Sequence, residues 1–396
     1  MRILYVDLGG VTLYSCDKPA GRILGWADMK HVVSLLVPKL IEETAIKEIC
    51  DVSSNPERIS IITLPFSNKK RTSGPGIILS YFLRVVFSPV ILFKKHCQFD
   101  IGYSNSPVLV DIVPVLLLKI FGKCRHWVLM MDSIVPAPAQ RSGSVFINTI
   151  TYLESRFVTI LAKHFASAVF TVNPELKTAI TRLGVDGRKI LLSKNGLFMN
   201  RINKVLVDPR EKKYDASYMG RITENKGIFD LISVWADVVK SNPAMKLAVM
   251  GTGRSDVVKK FVDSIKENKL EKNINYLGYV GGDTKYEILK SSKIFIFLSK
   301  VNADESWGIS LMEALACGLP AITYNLEIYN HVYDDGILQK CTIGEVGAVV
   351  DKVLYYLGHA SERASLSERC LSFARQFDWF KIAHHDLDEV RPIVAS

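Results

Sequence analysis

The chain has 396 residues, more than one ordinary core holds and about right for two domains of roughly 100–200 residues each. Hydrophobic residues make up 48% and charged residues 23%, which excludes a disordered or fibrous protein. The formal net charge of +10 is uneven, because residues 1–200 hold 24 Lys/Arg against 14 Asp/Glu while residues 201–396 hold 26 of each. We therefore expect the two halves to face different partners.

Seven scattered cysteines without a Cys-x-x-Cys pair exclude a dense disulfide framework and a clustered cysteine zinc site, and they favour a reducing compartment. An acid at position 7 precedes any apolar run long enough for a signal peptide. The sequence contains no stretch of about 20 uncharged apolar residues, so it predicts no membrane-spanning helix. We therefore expect a cytoplasmic protein.

Short apolar runs alternate with longer amphipathic ones, which is typical of βαβ units and a parallel sheet. First-half strands are predicted at 2–6, 59–64, 101–104, 127–131, 168–171 and 190–193, with helices at 28–50 and 149–165. Second-half strands are predicted at 216–219, 246–250, 274–276, 293–298 and 321–324, with helices at 229–240, 256–268 and 286–291 and a helix pair over 345–376. These elements predict two doubly wound α/β domains, 1–200 and 201–376, and an amphipathic segment, 377–396, that packs back on the first domain.

The segment 305–320 joins two apolar strands through a loop and a helix predicted to begin near Gly308. In a parallel sheet this loop lies at the carboxyl edge, where ligands bind. Glu305 lies in the loop and Glu313 about one and a half turns inside the helix. The amides of Gly308, Ile309 and Ser310 form an anion site at the helix N-terminus. This arrangement suits a nucleotide sugar.

The two acids also have a simpler interpretation, in which Glu305 caps the helix and Glu313 lies on a solvated face. The apolar helix around Glu313 favours burial instead, and a buried carboxylate needs a partner.

A second strand-to-helix turn reads Gly220-Arg-Ile-Thr-Glu-Asn-Lys-Gly. The planar fork of Arg221 and the mobile charge of Lys226 are able to neutralise a diphosphate without a metal, although a basic surface turn is the alternative. A third turn, Gly251-Thr-Gly253, is weak evidence alone, since it lacks the third glycine of a dinucleotide fingerprint.

Taken in order, Gly-Arg-x4-Lys-Gly, Gly-Thr-Gly, Leu-Gly-Tyr-Val at 277–280 and Glu-x7-Glu with Ala-Cys-Gly-Leu-Pro resemble retaining glycosyltransferase family 4, within glycosyl transferases group 1. The close match covers about residues 214–325. The resemblance implies the GT-B fold, in which two Rossmann-like doubly wound parallel-sheet domains face a central cleft. It also implies a hexosyltransferase that moves a sugar from a nucleotide-diphosphate sugar to an acceptor hydroxyl, with no cofactor or metal.

The resemblance implies residue roles as well. Arg221 and Lys226 bind the leaving diphosphate, Glu305 contacts the transferred sugar, and Glu313 holds the ribose hydroxyls. The amides of Ile309 and Ser310 meet phosphate or sugar. The other implied donor-binding residues are Gly9, Gly10, Gly220, Gly251, Gly253, Tyr279, Val280 and Gly308. For Gly9 and Gly10, which follow the first strand, an ordinary structural turn is the alternative.

One departure affects the first domain. Where the resemblance places a His near the transferred sugar, the sequence reads Leu-Met-Met-Asp at 129–132, and Asp132 is the candidate catalytic contact, with a helix or turn cap as the alternative. No carboxylate stands out as a nucleophile. The expected route is therefore front-face displacement, in which the leaving diphosphate takes the proton of the acceptor.

The stretch 58–99 carries seven basic residues and no acid around the apolar run 77–93. This pattern predicts contact with an anionic membrane, with a buried helix pair as the alternative. Aromatics interleaved with aliphatics disfavour nucleic acid as a partner. We therefore expect an acceptor in lipid-linked glycan, glycolipid or cell-surface polysaccharide synthesis and an enzyme peripheral to the cytoplasmic face. The open alternatives are a catalytically idle nucleotide-sugar-binding protein and a GT-B nucleotide-sugar epimerase.

Overall fold

The computed structural model describes residues 1–8, 17–50, 52–65, 74–95, 97–141, 144–208, 210–302 and 307–395. Three candidate site residues, Gly9, Gly10 and Glu305, lie outside these ranges. The chain forms two compact units. Unit 1 comprises Met1–Gly196 with Trp379–Ser396, and unit 2 comprises Leu197–Asp378.

Unit 1 is built on a parallel sheet whose seven described strands have the order β3-β2-β1-β4-β5-β6-β7. The chain starts at the centre, builds outward to β3 and returns to β4, so the strand order reverses between β1 and β4. The strands are β1 (Arg2–Val6), β2 (Val32–Pro38), β3 (Ile59–Leu64), β4 (Phe99–Ser104), β5 (Cys124–Met130), β6 (Ala168–Thr171) and β7 (Ile190–Leu192).

Helices cover both faces of this sheet. They are α1 (Asp17–Asp28), α2 (Glu42–Ala45), α3 (Gly74–Lys94), α4 (Leu109–Ile120), α5 (Val145–Phe165), α6 (Pro174–Arg182) and, from the end of the chain, α15 (Trp379–Ala395). Helix α4 is apolar nearly all round and is buried, with α3 and α5 packed against it. Helix α6 shows why a helix begins where it does, because Asn173 Oδ1 accepts from Leu176 N at 2.8 Å and Pro174 occupies the first turn.

The C-terminal helix α15 is fixed to unit 1 by a fully buried ion pair. Arg22 Nε on α1 lies 2.9 Å from Asp386 Oδ2 on α15, and both side chains are inaccessible to solvent. Ser193, after β7, donates to Asp386 and accepts from Arg22, and the guanidinium stacks 5.1 Å from the Trp379 ring. Burial raises the pKa of Asp386, and the opposing charge of Arg22 counteracts that effect. Polar partners therefore hold this helix in its place.

Unit 2 repeats the same plan. Its six described strands form a parallel sheet in the order β10-β9-β8-β11-β12-β13, and the order reverses between β8 and β11. Ligands of open α/β sheets bind at such a reversal, beyond the carboxyl ends of the strands. The strands are β8 (Tyr214–Met219), β9 (Leu247–Met250), β10 (Ile274–Gly278), β11 (Ser292–Phe297), β12 (Ala321–Tyr324) and β13 (Leu338–Cys341).

The helices of unit 2 alternate with its strands. They are α7 (Met199–Lys204), α8 (Ile228–Ser241), α9 (Ser255–Glu267), α10 (Thr284–Lys290), α11 (Ile309–Ala316), α12 (Tyr329–Val332), α13 (Val346–Gly358) and α14 (Ala360–Ala374). Helices α13 and α14 are the pair predicted over 345–376, and α11 begins directly after Gly308 as its motif predicts.

The helix predicted over 28–50 is wrong, because strand β2 occupies 32–38. Its sequence, Val-Val-Ser-Leu-Leu-Val-Pro, lies between two strands and is apolar on both faces, so it lacks the alternation that marks a half-buried strand. Lys30, with φ of 64°, turns the chain from α1 into β2. Helix α1 and edge strand β13 were not predicted from the sequence.

The apolar run 77–93 lies within the single helix α3, which contains Pro89. Among the described helices, none combines the length and the apolar character needed to cross a bilayer. The outer face of α3 is exposed, and it is described below.

Candidate active site

The turns after the central strands of unit 2 are joined to one another by backbone hydrogen bonds. Gly220 N donates to Met250 O at 3.0 Å, and Gly251 N donates to Gly278 O at 2.7 Å. Lys300 N, after β11, donates to Asn225 O at 2.8 Å. These bonds bring the carboxyl ends of β8, β9, β10 and β11 into one continuous edge.

Glycine is required where these turns meet most closely. A Cβ atom on Gly251 would lie 1.8 Å from the Gly220 carbonyl oxygen, and one on Gly227 would lie 2.0 Å from the Leu298 carbonyl oxygen. Both glycines have positive φ, 150° and 67° respectively. Any larger residue would separate the turns. The glycines that the sequence singles out thus serve close backbone packing at this edge, with Gly253 in the same turn as Gly251.

The two candidate cations lie on the turn after β8. Arg221 is exposed, and its carbonyl oxygen accepts from Tyr218 OH at 2.8 Å, which fixes the backbone beneath it. Lys226 is buried, with Nζ 5.6 Å from the centre of the Phe297 ring of β11. One cation is therefore open to solvent and the other is held inside the turn.

Helix α11 begins at the same sheet edge. Gly308 precedes its first turn with φ of 68°, and Tyr333 OH donates to the carbonyl oxygens of Trp307 and Gly308 at 3.0 and 3.3 Å. Ile309 is exposed and Ser310 is half-buried. The start of this helix is therefore anchored from below while its first residues face outward, which is the geometry for binding an anion.

Glu313 is buried on α11 and has two partners that sequence reasoning missed. Lys285 Nζ lies 2.6 Å from Glu313 Oε1, and Tyr286 OH donates to the same oxygen at 3.0 Å. Both partners come from α10, which follows the 277–280 segment. The requirement that a buried carboxylate be paired was the available signal, but it did not identify the partners.

Tyr279 and Val280 follow β10 directly, beside the turn after β9. Tyr276 OH donates to Gly251 O at 3.2 Å, which ties the end of β10 to that turn. Tyr279 is exposed and Val280 is half-buried. This segment therefore flanks the glycine turn, where the sequence placed it.

A second polar group supports the turn after β8 from beneath. Asp230, in the first turn of α8, accepts from Lys300 Nζ at 2.7 Å and from Tyr324 OH at 2.6 Å. Burial and the carboxylate raise the pKa of Tyr324, so its hydroxyl remains a donor. These three residues connect α8 with the ends of β11 and β12, and no local sequence pattern marks them as a group.

Asp132 lies in unit 1, one residue beyond the buried Met131 and near the end of β5. It is half-buried, and Ser133 Oγ donates to its Oδ1 at 3.3 Å. At the end of β1, Leu8 N donates to Asp111 Oδ1 at 2.6 Å and Leu8 O accepts from Arg84 Nη1 at 2.8 Å. Polar groups therefore collect at the carboxyl edge of this sheet also.

The structure thus brings together, within unit 2, the turns that carry Gly220, Arg221, Lys226, Gly251, Gly253, Tyr279 and Val280. Glu313 lies inside the helix that Gly308, Ile309 and Ser310 begin. Among the described residues, no three His, Cys, Asp or Glu side chains are grouped so as to hold a metal ion.

Residues 201–370 match the family model described as glycosyl transferases group 1. Curated relatives include poly(glycerol-phosphate) alpha-glucosyltransferase of Bacillus subtilis, 27% identical over 152 residues, which cover 38% of this chain and 20% of that protein. Another is the phosphatidyl-myo-inositol mannosyltransferase of Mycobacterium leprae, 24% identical over 168 residues, 42% of this chain and 43% of that protein. The chain therefore spans less than half the length of these relatives.

Solved structures match over nearly the whole chain. Anabaena HepE in complex with UDP and glucose has a TM-score of 0.69 at 17% identity, covering 99% of this chain and 100% of that one. The sucrose-phosphate synthase of Thermosynechococcus elongatus has a TM-score of 0.73 at 16% identity, covering 100% and 99%. Similarity at this level of identity shows the fold.

The two doubly wound parallel sheets and these similarities define a two-domain Rossmann-like α/β protein of the GT-B type, which confirms the fold class predicted from the motifs. The match of residues 201–370 to the glycosyl transferases group 1 model confirms the predicted resemblance to that group for this part of the chain.

Proposed function

We propose that the protein is a retaining glycosyltransferase of family 4. It transfers a hexose from a nucleoside-diphosphate sugar to an acceptor hydroxyl in glycolipid, lipid-linked glycan or polysaccharide synthesis. One observation carries the proposal: Arg221 and Lys226 lie on a turn that is bonded to its neighbours at the strand reversal of unit 2. The relatives named for glucosyl and mannosyl transfer, and the neighbour bound to UDP and glucose, support the same class.

The proposed reaction is a front-face displacement. The bond from the anomeric carbon to the diphosphate oxygen breaks, and a bond to the acceptor oxygen forms on the same face of the sugar. The acceptor proton passes to an oxygen of the leaving diphosphate. Arg221, Lys226 and the amides at the start of α11 stabilise the negative charge that develops there. Since two side-chain cations neutralise the diphosphate, the proposed route needs no metal or cofactor.

The remaining groups position the donor and acceptor in this proposal. Glu313 holds the ribose hydroxyls, Glu305 contacts the sugar, and Tyr279 and Val280 flank the base. Asp132 is the proposed polar contact near the transferred sugar, and the Gly9-Gly10 segment lets the donor phosphates or the acceptor approach. The excess positive charge of the first half fits an acceptor anchored at an anionic, cytoplasmic membrane surface.

Turnover by the full chain tests this proposal. Donor-sugar hydrolysis or transfer is measured for Arg221→Ala and Lys226→Ala across UDP-, GDP- and ADP-hexoses. Each variant is expected to lower kcat at least about tenfold, which corresponds to about 1.4 kcal/mol of transition-state stabilisation. A chelator is expected to leave the wild-type rate unchanged.

Lys240→Ala is the matched control, because Lys240 is an exposed lysine of unit 2 that pairs with Asp237 on the surface of α8. A smaller loss in both site variants, or an equal loss in the control, would count against charge stabilisation by Arg221 and Lys226. Absence of turnover with every donor would instead favour an idle binding protein.

A further inference from the structure

Helices α3 and α5 of unit 1 expose apolar side chains to solvent, unlike an ordinary surface helix, and in α5 the polarity is reversed. The residues that α5 buries are largely small or polar: Asn148, Ser155, Val158, Thr159 and Ala162. Its exposed side is apolar and follows helical spacing of four and three residues: Phe146, Ile150, Leu153, Phe157 and Ile160. A surface helix normally directs its apolar stripe toward the core.

Helix α3 is apolar on both sides. It buries Ser80 and Ser88 together with Pro89 and Leu92. It exposes Ile78, Leu79, Phe82, Val86, Phe87 and Val90. Phe82 is 62% exposed and Phe157 on α5 is 50% exposed, which is unusual for side chains of this size on a monomeric surface.

These two helices form one surface, here called the α3/α5 face and defined as their exposed apolar side chains. Both helices pack on α4, and Tyr81 OH of α3 donates to Glu154 of α5. Phe82 follows Tyr81 and Leu153 precedes Glu154, so exposed apolar groups flank the bond that joins the helices. The face is therefore continuous across two helices.

The charges of the segment that contains both helices select the partner of this face. Residues 74–165 contain nine Lys/Arg and four Asp/Glu. Five of the bases are exposed: Lys94, Lys95, Arg125, Arg141 and Lys163. All four acids lie in described residues, and none of them is exposed. A second copy of the chain would bring like charges together, which is unfavourable, whereas an anionic lipid surface is complementary.

We propose that the α3/α5 face docks on an anionic lipid bilayer, with its apolar side chains in the headgroup boundary and its cations on lipid phosphates. The proposal deepens the proposed function and rests on it for the nature of the acceptor. Arg84, on the half-buried side of α3, bonds the Leu8 carbonyl directly before Gly9. Docking through α3 thus brings the end of β1, at the carboxyl edge of the unit 1 sheet, close to the lipid surface.

Vesicle flotation of the full chain tests the docking. Wild type is expected to float with phosphatidylcholine vesicles that contain phosphatidylglycerol, and much less with phosphatidylcholine alone or at high salt. The double substitution F82E/F157E is expected to lower the bound fraction about tenfold or more, because it places two anions in the headgroup boundary. Leu206→Glu is the matched control, because Leu206 is an 88% exposed leucine of unit 2. This substitution is expected to leave flotation unchanged.

Two further readouts separate the possible failures. Thermal unfolding and nucleotide binding of F82E/F157E are expected to match wild type, which shows that the variant is folded. Turnover of the nucleotide sugar without flotation at low salt would overturn the docking and leave the proposed function standing. Flotation without nucleotide binding would support the docking and overturn the proposed function. A wild-type dimer that F82E/F157E converts to monomer would also overturn the docking, in favour of a second copy.

Discussion

Glu313 shows how neighbouring side chains fix the orientation of one buried carboxylate. Lys285 and Tyr286 both bond its Oε1, so the carboxylate is held in one orientation. The pair with Lys285 is largely removed from solvent, and removal of one partner from such a pair is expected to be costly. In the proposed function this orientation serves the ribose hydroxyls.

Replacement of this carboxylate distinguishes its role from that of the cations. Glu313→Gln is expected to weaken binding of the nucleoside diphosphate by about 1.5–3 kcal/mol, roughly ten- to hundredfold, because hydrogen bonds to an ionised group are lost. Binding of inorganic pyrophosphate is expected to be unchanged, since it has no ribose. Titration calorimetry measures both affinities.

Arg221→Ala, in contrast, is expected to weaken binding of both pyrophosphate and the nucleoside diphosphate. Glu271→Gln, at an exposed position, is the control and is expected to weaken neither. Equal loss of pyrophosphate and nucleotide affinity in Glu313→Gln would show that Glu313 acts on the pocket as a whole rather than on the ribose.

The site residues differ in how far the sequence could reveal them. Arg221, Lys226 and the glycines stand in turns directly after apolar strands, so their place at one sheet edge follows from the order of elements. Lys285 and Tyr286 stand 28 and 27 positions before Glu313 on a different helix. Only the packing of α10 against α11 creates that contact, and no local pattern encodes it.

At the scale of elements, helix α15 depends on polar pairing as well as apolar packing. Asp386→Ala is expected to lower the free energy of unfolding by about 3–5 kcal/mol, because it leaves the Arg22 guanidinium buried without its charge partner. Urea denaturation followed by tryptophan fluorescence measures the change, as Trp379 and Trp26 lie in this region of unit 1.

Asp388→Ala is the control, since Asp388 pairs with Arg391 on the exposed side of the same helix. The combined change of Arg22→Met and Asp386→Leu is expected to recover most of the lost stability, because no charge is left unpaired. An Asp386→Ala midpoint equal to wild type would show that the ion pair does not hold the helix.

The sequence pattern predicts an element correctly where only one of its faces is apolar. It does not distinguish a helix from a strand, or an inner from an outer side, where both faces are apolar. The pattern over 28–50 predicts a helix, whereas the segment contains strand β2, which lies between β1 and β3 and is apolar on both faces. The apolar run of α3 left two interpretations open, membrane contact and a buried pair. The run alone does not say which side of α3 faces the core. The buried Ser80, Ser88 and Leu92 supply that information only in the folded unit.

For the whole molecule, the division of charge between the two halves corresponds to two kinds of surface. Unit 2 carries the joined turns, the two candidate cations and the paired Glu313, and unit 1 carries the α3/α5 face with its exposed cations. The charge excess of the first half predicts that the two halves have different partners, but it does not predict which surface contacts them. The exposed apolar sides of α3 and α5 become visible only once the two helices are placed on α4.

We propose that the turns of unit 2 bind a nucleoside diphosphate, and calorimetric titration of the full chain with UDP, GDP and ADP measures this binding. At least one of them is expected to bind wild type and, at about 100 times its dissociation constant, to add about 2.7 kcal/mol to stability. The double variant R221A/K226A is expected to lose that binding. Three nucleotides that fail to bind wild type, or that bind the double variant with undiminished affinity, would contradict the claim.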